Sequence, residues 1–197
     1  MATGIILAGG ASSRMPGDKA FLRLEGRPVI EIQLEQMEGL FDEVLVVANT
    51  ERIDKLSQLL GDKARVVEEP VRGKGPLGGI LSGLMVSSSE ENFILACDMP
   101  FVKRAAIAFI MEQLDGYDVA VPDTPAGLEP LHAAYKERCA MTIEEQLAGG
   151  DLKVTDFYDK VLANYVPWRE MADFDPSGRL MLNVNSPDDL IKLAGQE

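Results

Sequence analysis

The chain is poor in the residues from which covalent cross-links and many metal sites are built. Its 197 residues include two cysteines, Cys97 and Cys139, and one histidine, His132. Two cysteines without a ligand pattern predict neither a disulfide framework nor a thiolate metal site, and one histidine excludes a multi-histidine zinc site. We expect both cysteines to be small buried hydrophobic residues. We expect His132 to be a core or surface residue, with a ligand contact as the alternative.

Positive charge and long apolar runs are also scarce. Nineteen basic residues stand against 32 acidic ones, a net charge of −13, which predicts no nucleic acid partner and no anionic membrane surface. No apolar run approaches the roughly 18 residues of a membrane span, and no basic residue precedes Arg14 to mark an export signal. We therefore expect a cytoplasmic protein, in which an anionic ligand would need a local group of cations.

Apolar runs of strand length alternate with helical segments along the first part of the chain. Predicted strands cover residues 3–8, 43–48, 64–67, 92–97 and 118–121; predicted helices cover 28–39, 51–60, 78–86 and 105–114. Because a helix that follows a parallel strand packs back onto the sheet, this alternation predicts an α/β fold of three layers, with a doubly wound, mostly parallel sheet. The even composition predicts a single domain, residues 1–197.

The pattern is less regular in the last third of the chain. We expect a loop over 122–130, strands over 131–135, 164–166 and 180–184, and helices over 136–147 and from Ser186 onward. The last helix has a typical start, because a serine cap is followed by a proline and two acidic residues.

A loop of small residues follows the first predicted strand. It contains Gly9 and Gly10 and the cations Arg14 and Lys19, and residues 1–17 include no acid. Small residues let backbone amides approach phosphate oxygens, and the two cations offer hydrogen bonds and charge. The loop is therefore predicted to bind phosphate; the alternative is an exposed loop with two solvated cations.

A second stretch without acids, residues 71–89, carries a misleading motif. Its glycines at 73, 75 and 78 match the dinucleotide-binding fingerprint. That fingerprint belongs directly after the first strand of the fold, so we discount NAD binding here. Neither glycine loop has the Walker sequence, so we do not expect P-loop chemistry.

Polar residues follow several predicted strands, at the edge where a doubly wound sheet binds its ligand. Asp98 ends the run 92–97 and suits Mg²⁺ through its oxygens; the alternative is a helix cap or a turn-forming residue before Pro100. Asn183 and Asn185 share one face of a predicted strand and would meet the metal or a phosphate, or Asn185 caps the last helix.

Two further strand ends carry hydrogen-bonding residues. Asn49 follows the second long predicted strand, and Glu69 follows the third. Each could read a base or a ribose. The alternatives are a helix cap at Asn49 and a solvated turn at Glu69.

Four motifs, taken in this order, resemble the molybdenum cofactor guanylyltransferases. They are Leu7-Ala8-Gly9-Gly10-x-Ser12-x-Arg14-Met15-x-x-Asp18-Lys19, Gly75-Pro76-Leu77-x-Gly79-Ile80, Cys97-Asp98-Met99-Pro100-Phe101 and Asn183-Val184-Asn185-Ser186-Pro187-x-Asp189-Leu190. The resemblance runs from residue 4 to about residue 192 and implies the Rossmann-like nucleotidyltransferase type of fold. The chain departs from the family pattern with Pro16 in place of a glycine and Glu69 in place of an aspartate.

The resemblance implies transfer of GMP from GTP to the phosphate of molybdenum-molybdopterin, release of pyrophosphate, and Mg²⁺ as cofactor. The expected catalytic residues are Arg14, Lys19 and Asp98; the resemblance implies that Lys19 contacts the phosphates and that Asp98 binds the metal. The expected binding residues are Leu7, Ala8, Gly9, Gly10, Lys19, Asn49, Glu69, Gly79, Asn183 and Asn185. Nucleotidyl transfer needs positioning and charge neutralisation, so no protein nucleophile is expected. The pterin is placed near His132 and residues 183–185.

Other functions remain open at this point. One is a related nucleotidyltransferase, either a molybdopterin cytidylyltransferase or an enzyme for a sugar or polyol phosphate. Another is a nucleotide-binding module without catalysis. Besides GTP and molybdenum-molybdopterin, the resemblance allows transient contacts with molybdenum cofactor biosynthesis proteins and recipient apoenzymes.

Overall fold

The computed structural model describes residues 1–9, 18–184 and 189. Within them the strands are β1 (Ala2–Ala8), β2 (Arg23–Leu24), β3 (Arg27–Pro28), β4 (Glu43–Ala48), β5 (Arg65–Glu68), β6 (Glu91–Ala96), β7 (Val119–Thr124), β8 (Gly127–Leu128), β9 (His132–Lys136) and β10 (Ala163–Pro167). The α-helices are α1 (Val29–Met37), α2 (Thr50–Leu60), α3 (Gly75–Val86), α4 (Arg104–Glu112), α5 (Cys139–Ala148) and α6 (Trp168–Met171). Short 3₁₀ helices cover Lys19–Phe21, Gly61–Lys63, Val154–Lys160 and Ala172–Phe174.

The main sheet has the order β10-β7-β9-β6-β1-β4-β5, with β8 paired to β7. Strand β1 pairs in parallel with β4 and β6, and β4 pairs in parallel with β5. Strand β9 runs antiparallel to β6 and β7. The carboxyl ends of β1, β4, β5 and β6 therefore meet at one edge, together with the start of β9. This arrangement confirms the predicted doubly wound, mostly parallel sheet.

Helices cover both faces of the sheet, because neighbouring residues of a strand point in opposite directions. Ile6 of β1 belongs to an apolar cluster that includes buried side chains of α1, α2 and α4. Ile5 belongs to a second cluster with buried side chains of α3 and α5. The three predicted layers follow from this alternation.

Helix α3 packs unusually close to β1 through two glycines. A Cβ atom on Gly83 would lie 2.8 Å from Cγ2 of Ile5, and one on Gly79 would lie 3.1 Å from Cδ1 of Leu7. The missing side chains let the helix approach the strand. The approach brings the start of α3 to the edge where β1 ends.

The strand predicted over residues 180–184 is wrong. Residues 180 and 181 form a turn and residues 182–184 have no regular structure. The carboxylate of Asp175 accepts hydrogen bonds from the backbone amides of Arg179 (3.0 Å) and Leu180 (2.7 Å). Because the Asp175 side chain accepts the hydrogen bonds of these amides, they do not pair with the backbone of a neighbouring strand. The predicted helix from Ser186 lies outside the described residues.

The loop predicted over residues 122–130 is also wrong in part. Strand β7 continues to Thr124 and turns into β8, and the Thr124 hydroxyl donates to the carbonyl oxygen of Gly127 (2.7 Å). The hairpin β2–β3, the 3₁₀ helix Val154–Lys160 and helix α6 were not predicted, because short elements carry too little periodic pattern. Among the described residues, no helix has the length and apolar character to cross a membrane.

Candidate active site

A pocket of about 340 Å³ opens at the sheet edge where β1, β4, β5 and β6 end. A pocket of this size is in the range of small-molecule sites. Its lining residues are Leu7, Gly9, Lys19, Val47, Arg52, Glu69, Gly75, Pro76, Gly79, Ala96, Cys97, Asp98 and Leu131. Both glycine-rich segments thus contribute to one pocket, the second through the first turns of α3.

Two of the predicted charged residues, Lys19 and Asp98, meet in this pocket. The Nζ of Lys19 lies 2.9 Å from Oδ2 of Asp98, and the two side chains are 28% and 15% exposed. Lys19 starts the 3₁₀ helix that follows the first glycine loop, while Asp98 stands in the turn after β6. The pair forms because β1 and β6 are neighbours in the sheet.

Gln33 of α1, a residue that sequence reasoning missed, holds the turn that carries Asp98. Its fully buried side chain donates from Nε2 to the carbonyl oxygens of Ala96 (2.8 Å) and Met99 (3.0 Å). The backbone amide of Val184 donates to the carbonyl oxygen of Asp98 (2.8 Å). The Asp98 carboxylate is therefore presented from a turn fixed on two sides. The available signal was a polar residue on the apolar face of α1.

Glu69 lies at the other side of the pocket, after β5. Its carboxylate rests against Gly9, where a Cβ atom would come within 2.8 Å of Oε2. Burial raises the pKa of Glu69, and the positive charge of Arg52 opposes this rise. A side chain at position 9 would require this carboxylate to shift from its present place, where it can accept hydrogen bonds from a ligand in the pocket.

Arg52 of α2 is a second residue that sequence reasoning missed. Its side chain is 10% exposed, and its Nε lies 2.7 Å from Oδ2 of Asp18. Its Nη1 donates to the backbone carbonyl of Ala8. The buried positions of α2 are Arg52, Leu56 and Leu60. These three residues are spaced by four and share one face of the helix. The signal that could have found Arg52 was a cation on this otherwise apolar face.

Glu129 adds a third carboxylate near the pocket, just before β9. It is half-buried, and its pKa is raised by burial and by the negative charge of Asp98. The nearby Leu131 lines the pocket and accepts a hydrogen bond from the amide of Ala96 (2.9 Å). Nothing in the sequence distinguished Glu129, because its place depends on the antiparallel pairing of β9 with β6.

Most of the chain matches a known protein family. Residues 4–163 match the MobA-like NTP transferase domain. The chain belongs to this family.

Relatives of this MobA-like chain match almost its whole length. The "Probable molybdenum cofactor guanylyltransferase" of Pelotomaculum thermopropionicum is 39% identical over 97% of this chain and 91% of that protein. The "Molybdenum cofactor guanylyltransferase" of Desulfosudis oleivorans is 36% identical over 96% of this chain and 93% of that protein. The crystal structure of molybdopterin-guanine dinucleotide biosynthesis protein A from Archaeoglobus fulgidus is 27% identical, with a TM-score of 0.81 over 96% of this chain and 95% of that one.

Three other predicted binding residues of the MobA-like chain, Ala8, Asn49 and Asn183, do not line the pocket. Ala8 is buried and contributes its carbonyl oxygen to Arg52. Asn49 stands at the start of α2, where its side chain makes no capping hydrogen bond. Asn183 is exposed and lies outside any strand, so the shared strand face predicted for Asn183 and Asn185 is wrong at Asn183. Gly10, Arg14 and Asn185 lie outside the described residues.

His132 is a core residue of the MobA-like fold. Its ring is fully buried and meets the ring of Phe93 edge-on, with 5.2 Å between the ring centroids. Burial lowers the pKa of His132 to about 3. The core interpretation is confirmed, whereas a ligand contact at this side chain is wrong, since the ring does not line the pocket.

The two cysteines are buried and free, as predicted. Cys97 lines the pocket, and burial raises its pKa to about 12. Burial likewise raises the pKa of Cys139 to about 12. Neither thiol is ionised at neutral pH, so neither is a ready nucleophile.

Proposed function

We propose that this protein is a molybdenum cofactor guanylyltransferase, which transfers GMP from GTP to the phosphate of molybdenum-molybdopterin and releases pyrophosphate. The observation that carries the proposal is the Lys19–Asp98 pair, a cation and an acid 2.9 Å apart in the pocket at the carboxyl edge of the sheet. The relatives from P. thermopropionicum and D. oleivorans, which match nearly the whole chain, support the choice of guanine nucleotide and acceptor.

The reaction needs no covalent intermediate on the protein. An oxygen of the acceptor phosphate attacks the α-phosphorus of GTP in line; the new P–O bond forms as the bond to the β-phosphate bridging oxygen breaks. Two anions must meet, and pyrophosphate leaves with negative charge. The main task of the protein is therefore to hold the substrates and to neutralise charge.

Lys19 supplies this charge from the protein. Its ammonium group lines the pocket, and it follows the glycine loop directly. In this proposal, a phosphate group of the nucleotide binds the Lys19 ammonium group, next to Asp98. Arg14, from the same loop, adds a second cation in this proposal, because its fork of donors matches phosphate oxygens.

Asp98 fits the expected Mg²⁺. Its carboxylate offers hard oxygen ligands, and it already attracts a cation, the ammonium of Lys19, in a pocket open to ligand. A magnesium ion bound there would offset negative charge on the phosphates. Asn183 is the second candidate ligand, since the hydrogen bond from Val184 to the Asp98 carbonyl keeps it close to this turn.

Glu69 is the proposed reader of the base. Its carboxylate accepts hydrogen bonds only, and guanine presents two neighbouring N–H donors on one edge. Leu7, Gly9 and Gly79 line the same pocket and offer an apolar surface for the ring. The neighbourhood of Arg52 favours the accepting, ionised form of Glu69 against the effect of burial on its pKa.

The proposal extends to the cellular setting. GTP is supplied in the cytoplasm, where we place the protein. The product is a cofactor that must reach other proteins, so we also propose transient contacts with the proteins that make the acceptor and with recipient apoenzymes.

Pyrophosphate release tests the proposed activity. The protein is mixed with Mg²⁺, molybdenum-molybdopterin and each nucleoside triphosphate in turn. Release with GTP alone supports the guanylyltransferase; release with CTP alone identifies a cytidylyltransferase instead. Release only when molybdenum-molybdopterin is replaced by a sugar or polyol phosphate identifies an enzyme for that acceptor. No release with any nucleotide and acceptor favours a binding module without catalysis.

A further inference from the structure

Arg52 connects two parts of the nucleotide pocket that are distant in sequence. Its guanidinium donates in two directions: from Nε to the carboxylate of Asp18 (2.7 Å), and from Nη1 to the carbonyl oxygen of Ala8. Ala8 is the last residue of β1 and directly precedes Gly9, which lines the pocket. Asp18 closes the glycine loop. One buried cation thus ties together both ends of the loop that is proposed to bind phosphate.

Asp18 in turn fixes the backbone around Lys19. Its Oδ1 accepts a hydrogen bond from the amide of Ala20 (3.2 Å), and its carbonyl oxygen accepts one from the amide of Phe21 (2.9 Å). Asp18 is therefore the cap of the short 3₁₀ helix that starts at Lys19. Because Oδ2 of the same carboxylate is held by Arg52, the orientation of this cap depends on Arg52.

The contacts form a continuous series that ends in the pocket. Arg52 holds Asp18, Asp18 caps the turn that begins with Lys19, and Lys19 reaches Asp98 at 2.9 Å. The Arg52 side chain is only 10% exposed, whereas a cation on the solvent-facing side of a helix would be mostly exposed. Burying a charge is costly unless the charge is paired. The burial of Arg52 is therefore explained by its contacts with Asp18 and Ala8 at the site.

We propose that Arg52 is a positioning residue for the transfer reaction, which acts through Asp18 to hold Lys19 where the nucleotide phosphates are bound. The inference rests on the proposed function. A lysine cannot replace Arg52 fully, because one ammonium group lacks the fixed fork that reaches both Asp18 and Ala8. The effect of Arg52 on phosphate binding should require Lys19.

A double-mutant cycle between Arg52 and Lys19 tests this dependence. We expect Arg52→Gln to lower kcat/KM for GTP by roughly 10- to 100-fold, since displaced positioning groups cost this much. In a Lys19→Met background the same substitution should change kcat/KM by less than about twofold. A change of that size is within the scatter of such double-mutant comparisons. Arg52→Lys should recover part of the loss. Arg27→Gln, which breaks the exposed Arg27–Glu35 ion pair, is the matched control and should leave kcat/KM unchanged.

Equal losses in the two backgrounds would overturn the proposal, because Arg52 would then act independently of Lys19. A lower melting temperature with unchanged kcat and KM of the folded protein would also overturn it, since the role would be structural only. If Arg52→Gln does not fold, Asp18→Asn weakens the same contact from the other side, because it removes the negative charge that pairs with Arg52, and it must show the same dependence on Lys19.

Calorimetric binding of Mg²⁺ and GTP separates this inference from the proposed function. If the wild-type protein binds GTP but transfers no GMP to molybdenum-molybdopterin, the proposed function fails. The cycle is then measured on GTP affinity, where Arg52→Gln must still weaken binding in the wild type and not in Lys19→Met.

Discussion

Lys19 and Asp98 are 79 positions apart in sequence, and their charged atoms lie 2.9 Å apart. The distance is short because β1 and β6 are adjacent and parallel, so that both residues follow strands that end at one edge of the sheet. Each charge has the other as a partner in the pocket that is proposed to bind the nucleotide. In the proposed reaction, a nucleotide phosphate would compete for Lys19 and Mg²⁺ would compete for Asp98.

Substitution of Asp98 is expected to abolish activity and to preserve the fold. Asp98→Asn keeps the shape of the side chain but removes the charge proposed to bind Mg²⁺, so kcat for pyrophosphate release should fall at least about 100-fold. The free energy of unfolding, measured with urea, should change by no more than about 1 kcal/mol, because the pair with Lys19 is partly exposed to solvent. Asp115→Asn, at an exposed position, serves as control. Normal turnover of Asp98→Asn would refute the metal assignment.

Gly9→Ala should weaken GTP binding more than it weakens the fold. The added Cβ would lie 2.8 Å from Oε2 of Glu69, so the carboxylate must move away from its place in the pocket. Loss of its hydrogen bonds to the base should raise KM for GTP about tenfold. Steady-state kinetics and thermal melting measure the two effects. In a Glu69→Asp background the shorter acid should tolerate the added methyl group better; an equal rise of KM in both backgrounds would contradict this steric explanation.

Gln33→Met should reduce stability and activity together. The substitution leaves the carbonyl oxygens of Ala96 and Met99 without the Gln33 donor, a loss of about 1 to 3 kcal/mol in the free energy of unfolding. The turn that carries Asp98 is then held less firmly, and kcat should fall as well. Chemical unfolding and pyrophosphate release check the two results. Glu35→Gln, exposed on the same helix, provides the comparison, and a variant with wild-type kcat would show that this turn needs no support from Gln33.

His132 should make the fold sensitive to acid. Burial lowers the pKa of His132 to about 3 from an unfolded value of 6.5, so between these pH values the unfolded chain binds a proton that the folded chain does not. The free energy of unfolding therefore decreases as pH falls below 6.5, by about 2 kcal/mol at pH 5 from this group. Above pH 6.5 the ring is neutral in both states, and the folded protein pays no such penalty.

The variant His132→Leu isolates this contribution. Its side chain is apolar and close in size, so it should lose less stability than the wild type between pH 7.5 and pH 5, as measured by urea unfolding at both values. An identical loss in the two proteins would mean that His132 takes up its proton without unfolding.

Much of the fold was predictable because its signals are local. The runs that became β1, β4 and β6 are apolar and end in glycine or polar residues, and the helices between them have apolar faces. These patterns act over a few neighbouring residues. The short hairpins and the segment 180–184 were not predictable in this way. There, single contacts such as the hydrogen bonds to Asp175 decide the backbone.

The candidate site was predictable only as a set of residue types. The sequence by itself determined that small residues and cations follow the first strand, and that an acid follows the strand of residues 92–97. Tertiary structure alone decided that Lys19 meets Asp98, that Arg52 turns inward to Asp18, and that His132 faces the core. The physical reason is that strand order and the antiparallel direction of β9 depend on contacts between distant segments, which local periodicity does not specify.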